Sequence, residues 1–155
     1  MAKTNIPSEI KQAWEILAEI NDMLGQLISW TAGEANERTN ALHLKWQALC
    51  SETKSAVSME FYNRCQDILK ECNSFRTDIV NKAMAFADKA QSRGPVISEL
   101  AGENKETKAL MEEILKLWNE VEHPRLVFLY EKTAGLESRI MDMIEFAMEP
   151  LETTK

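Results

Sequence analysis

The sequence predicts an all-α protein: an antiparallel bundle of four to five long amphipathic helices, or an elongated helical hairpin with a shorter helix packed on it. Three observations predict it. Apolar residues recur at spacings of three and four through most of the chain, which is the period of one buried helical face. Only five Gly and four Pro punctuate the 155 residues, too few for a protein of many strands and tight turns. Val and Ile nowhere alternate with polar residues over the length of a strand. With 45% apolar and 28% charged residues, the whole chain reads as one domain whose core needs no disulfide or metal. Residues 1–6 and 151–155 read as frayed ends.

The first helix opens at Pro7, a residue suited to the first helical position, with Glu9 well placed against the helix dipole. Its buried stripe is Ile10, Ala13, Trp14, Leu17, Ile20, Leu24, Leu27 and Ile28, and Gly33 is expected to close it. Between Glu34 and Ser92 there is no Gly or Pro. Ala35, Thr39, Leu42, Trp46 and Leu49 continue the stripe. It shifts phase through Thr53, Val57 and Phe61, then resumes at Cys65, Ile68, Cys72, Phe75, Ile79, Ala83, Phe86 and Ala90. Either one helix runs the whole way from 34 to 92, or, the reading preferred, it breaks or kinks within Ser51 to Ser58, where Ser55 or Ser58 would cap a new helix.

Gly94-Pro95 reads as the clearest boundary, a helix-ending Gly followed by a helix-opening Pro. The next stripe is Leu100, Thr107, Met111, Ile114, Trp118 and Val121, and Pro124 predicts a kink or tight turn. The last stripe is Leu129, Thr133, Leu136, Ile140, Met143 and Ala147. Trp14, Trp46 and Trp118 are expected in cores. Glu34–Arg38, Glu60–Arg64, Asp78–Lys82 and Glu112–Lys116 each place an acid four residues ahead of a base, the favourable order on a solvated helix.

Charge and composition exclude several functions. A net charge of -7, with the 18 basic residues scattered among acids, argues against nucleic acid as partner and against an anionic membrane surface. No stretch approaches the roughly 18 apolar residues of a spanning helix, so no membrane insertion is expected. Glu9, Glu15, Glu19 and Asp22 interrupt what would be the core of a signal peptide. The expectation is a cytoplasmic protein, with signal-independent secretion as the alternative. Cys50, Cys65 and Cys72 are odd in number and lack the spacing of a zinc site, so they read as small side chains on a helical seam.

Two segments invite a chemical reading. Glu120 and His123, three apart on one helical face, have the spacing of a di-iron half-site. Such a centre needs a second pair and two further Glu, and the only other histidine, His43, has Asn40 three residues earlier. Glu120 and His123 therefore stand as weak candidates for a metal, and no cofactor is expected. Nor is there a Gly-rich phosphate loop or a nucleophile elbow. Leu126, Val127, Phe128, Leu129 and Tyr130 are five consecutive apolar residues, more than one helical face can hold. They mark either a helix surrounded on several sides or a surface covered by another molecule. The sequence thus predicts a non-enzymatic protein–protein interaction module, an adaptor, scaffold, chaperone-like subunit or signal-independent secreted factor, binding a protein partner or itself through residues 126–130. The alternatives are a bundle that binds a small ligand or metal in a pocket lined by Trp and Met, and an enzyme with a dispersed site.

Overall fold

The computed structural model of the chain describes residues 7–52 and 59–153, with the side chains of Glu52 and 146–153 left out of the account. Among the described residues there are five α-helices: α1 Ser8–Trp30, α2 Asn36–Glu52, α3 Met59–Ala101, α4 Lys105–Leu117 and α5 His123–Thr153. A π-helical turn at Thr31–Ala35 joins α1 to α2, and a second at Trp118–Glu122 joins α4 to α5. The described residues are therefore all-α, without a strand, in three long helical runs (8–52, 59–101 and 105–153) rather than four to five separate helices. The phase shift at Thr53 and Val57 and the caps proposed at Ser55 and Ser58 lie outside the described residues.

Three expected boundaries are not breaks. The helix passes Gly33 because that residue keeps an ordinary φ, and the chain closes no helix there. It passes Gly94-Pro95 as well, and both lie inside α3. Pro95 removes the donor that would serve the carbonyl of Gln91, but both residues are exposed, so water can take that carbonyl. Gly94 carries no Cβ to crowd the proline ring, which leaves helical geometry open to it.

Pro124 is accommodated by the wide turn directly before it. The N–H of His123 donates five residues back to the carbonyl of Trp118. A proline ring ordinarily clashes with the carbonyl four residues back, here that of Glu120, and one extra residue per turn relieves the clash. Pro7 caps α1 from outside, one residue earlier than expected, its carbonyl accepting from the N–H groups of Ile10 and Lys11.

The real stop is Gly102, whose φ of 56° is the left-handed value a helix end requires. Asn104 then caps α4, accepting through Oδ1 from the N–H of Thr107 at 2.9 Å and from its hydroxyl at 2.7 Å.

The chain divides into two compact units, Met1–Thr31 with Asn81–Leu126, and Ala32–Val80 with Val127–Lys155. In the first, α1 runs antiparallel to α3, with Lys89 3.3 Å from Glu19 and Lys82 over the Trp30 ring, and parallel to α4, where Trp14 Nε1 donates to Thr107 Oγ1 at 3.1 Å. Its core gathers Ala13, Leu17, Ile20 and Leu24 with Phe86, Ile97, Ile114 and Trp118. In the second, α2 runs antiparallel to α3 through Arg38–Asp78 at 2.7 Å and Lys45–Glu71 at 2.6 Å. Leu42, Leu49, Phe61, Cys65, Ile68, Cys72, Phe75, Ile79, Leu136 and Ile140 fill its core. Of the four intrahelical pairs expected, Glu60–Arg64 forms at 4.0 Å, whereas Arg38 reaches across to Asp78 and Lys82 turns to Trp30. Trp118 is buried, while Trp14 and Trp46 are half-buried.

Candidate functional site

Helical geometry divides the apolar run 126–130. Leu126 and Leu129, three residues apart, face inward and are buried. Tyr130 is half-buried, and its hydroxyl accepts from Arg76 Nη1 at 3.1 Å. Val127 and Phe128 point outward, 39% and 56% exposed, with Lys132 Nζ 5.7 Å from the centre of the Phe128 ring. The run is thus part core and part surface, and Val127 and Phe128 are the portion open to another molecule.

Beside it in unit 2, Arg76 is gripped by Glu137, which it meets through both Nε and Nη2, the latter at 2.9 Å. Asn73 accepts a further hydrogen bond at 3.4 Å. The bond to Glu137 holds the guanidinium above its ordinary range against the opposing effect of burial.

The second notable place is the first unit's buried carboxyl. Thr31 opens one π turn and Glu122 closes the other, and Thr31 Oγ1 lies 2.5 Å from Glu122 Oε2. Glu122 is fully buried, and its Oε1 has no hydrogen-bond partner among the described residues. Burial pushes its pKa up, opposed by the Thr31 hydrogen bond and by the charge of Arg125. The Thr31 hydroxyl also lies 2.9 Å from the Leu27 carbonyl, which can only accept. One hydroxyl hydrogen cannot serve both oxygens. A protonated Glu122 donating to Thr31, which in turn donates to Leu27, satisfies the whole chain.

Glu120 and His123 are both exposed, and the His123 ring rests against Trp118 with centres 5.3 Å apart. His123 thus sits inside a continuous helical run, not at a helix end. Among the described residues no group of three or more His, Cys, Asp or Glu is placed to hold a metal ion. Cys65 and Cys72 are buried and Cys50 is exposed. An open cleft of unit 1 is lined by Met23, Gln26, Leu27, Lys82, Ala85 and Phe86, and one of unit 2 by Arg38, Ala41, Leu42, Lys45, Glu71 and Ser74; neither is lined by a tryptophan. No helix among the described residues is long and apolar enough to cross a membrane.

No family model, curated protein or solved structure matches the chain.

Sequence reading missed Glu122 because a regular period places Val121 inside after Trp118. The signal was present as steps of four: Trp118, Glu122, Leu126 on one run and Leu27, Thr31, Ala35, Thr39 on the other. Successive fours mark a turn that carries an extra residue.

Proposed function

We propose that the protein is a non-enzymatic interaction module that binds a protein partner, or a second copy of itself, through a face of α5. The observation that supports this most is the exposure of Phe128 and Val127 side by side on a helix whose inner face is already filled by Leu129, Thr133, Leu136 and Ile140. The core leaves much of both side chains uncovered. Covering a Phe is worth roughly 1.5–3 kcal/mol, so a partner that does so gains substantially.

The test is photo-crosslinking. A benzoyl-phenylalanine placed at position 128 in the full chain is expected to capture a partner or a second copy, and one at the exposed Glu113 is not. Light scattering over a range of concentrations separates the two occupants. A strict monomer that forms no more crosslink from 128 than from 113 would sink the reading.

A further inference from the structure

The partner's chemistry is readable from what surrounds Phe128. Four residues on from it stands Lys132, then Gly135, then Arg139, at steps of four, three and four that hold one helical face. Lys132 and Arg139 are exposed, and no carboxylate among the described residues pairs with either. Unit 2 matches Arg38, Lys45, Arg64 and Arg76 with acids and leaves Lys70 of α3 open. On α5 two open cations share one helical face in a chain of net charge -7. His43 of α2 faces the same two cations; burial first, then Lys132 and Arg139, hold its pKa below the ordinary histidine range.

Gly135 stands between the cations. It is exposed, has no positive φ, and a Cβ built on it would meet nothing within 4 Å. Neither conformation nor packing among the described residues asks for glycine there, although glycine is less favourable than alanine inside a helix. What glycine does provide is bare backbone between two open cations, where another chain can approach closely.

Resting on the reading of α5 as an interaction face, we propose that Phe128, Lys132, Gly135 and Arg139, with His43 at the edge, dock an acidic amphipathic segment of a partner protein. An apolar side chain of that segment lies on Phe128 and Val127, and its carboxylates meet Lys132 and Arg139. A nucleic acid or polyphosphate fits less well, since two cations on a strongly acidic chain give little of the electrostatic term such ligands need and leave Phe128 uncovered. Asp142, three residues on from Arg139, continues the same face beyond the cations, and Glu131 stands beside Lys132; both bias the face against a carboxylate-rich surface set out of register.

The experiment uses the full chain and three probes: a fluorescent helical peptide with Leu and Glu at spacings of three and four, the same peptide with Lys for Glu, and inorganic polyphosphate. The acidic peptide is expected to bind and the basic one not. The double variant K132E/R139E weakens the acidic peptide at least tenfold, K132Q/R139Q weakens it less, and F128A weakens it without changing its salt dependence. The His43 imidazole, followed by NMR, titrates at higher pH once the peptide's carboxylates offset Lys132 and Arg139. All three substituted positions are exposed, and circular dichroism verifies the folding of each variant. Failure of the acidic peptide to bind, equal binding to K132E/R139E, or binding of polyphosphate that F128A leaves untouched would each overturn the proposal. If crosslinking from position 128 persists in K132E/R139E, the interaction face stands and its acidic partner does not; if it is absent from the native chain, the face itself is wrong.

Discussion

Single side chains carry two consequences. Glu122 is buried, and burial raises its pKa. A carboxyl whose pKa is higher in the folded state contributes stability that is fully present below its unfolded pKa and is lost as pH rises through its folded pKa. The protein is therefore expected to lose thermal stability as pH climbs out of the ordinary glutamate range. Glu122→Gln keeps the shape without the proton, so its melting temperature should show a smaller decline over that interval. Parallel pH profiles for the two proteins would contradict this. An infrared band from a protonated carboxylic acid that fades as pH rises, missing in the variant, reports the same proton directly. The other consequence lies at Arg76, tied to Glu137, Tyr130 and Asn73. Removing one partner strands the other, so Arg76→Ala and Glu137→Ala should each cost roughly 2 kcal/mol, and the double variant much less than the sum. Urea denaturation of the four proteins in that cycle measures the coupling, and strict additivity would show that the contact contributes nothing.

For the helices as elements, the ends matter most. Asn104 supplies the cap of α4 and holds Thr107, which in turn receives the Trp14 indole from α1. Asn104→Ala is expected to cost about 1 kcal/mol for the cap alone. Gly102→Ala should cost about 1–2 kcal/mol, because its φ is left-handed and a Cβ resists it. By contrast Gly94→Ala should change stability little, since the crowding its Cβ brings to the Pro95 ring is offset by alanine's preference for a helix, and the nearest other atom is the flexible end of Met111 at 3.9 Å. Chemical denaturation of the three variants ranks them, and a Gly94 variant as damaged as the Gly102 variant would contradict the account of α3. These same positions explain what could be read in advance. The inward stripes from Ala13 to Leu27 and from Thr133 to Ile140 follow a regular period, and the sequence announces them. Gly and Pro were harder. Gly102 and Gly94 are the same letter, and only the surrounding geometry tells a stop from a passage. The wide turns escaped notice because one extra residue leaves composition unchanged and shows only as successive steps of four.

At the scale of the whole molecule, the all-α class was legible because nothing local contradicts it: few Gly, few Pro, no alternation. The candidate face was half legible. The run 126–130 stood out by its hydrophobicity, yet the residues that give it a chemical character, Lys132, Gly135, Arg139 and His43, are ordinary letters until a fold sets them side by side. Chemistry within the chain also offers a way to watch it open. Cys65 and Cys72 are buried in unit 2, and burial first, then Glu137 and Glu71, push the Cys72 thiol up to about 12 from 9.0. Three units of pKa reduce the reactive thiolate about a thousandfold. A thiol reagent should therefore label Cys50 first, and Cys72 only when its surroundings come apart, at a rate set by that opening. Trp14, Trp30 and Trp118 belong to unit 1, so in a Trp46→Phe variant fluorescence reports on that unit alone. If thiol labelling and tryptophan emission follow one rate across denaturant concentrations, the halves unfold as a single cooperative body; if they diverge, each half has a lifetime of its own.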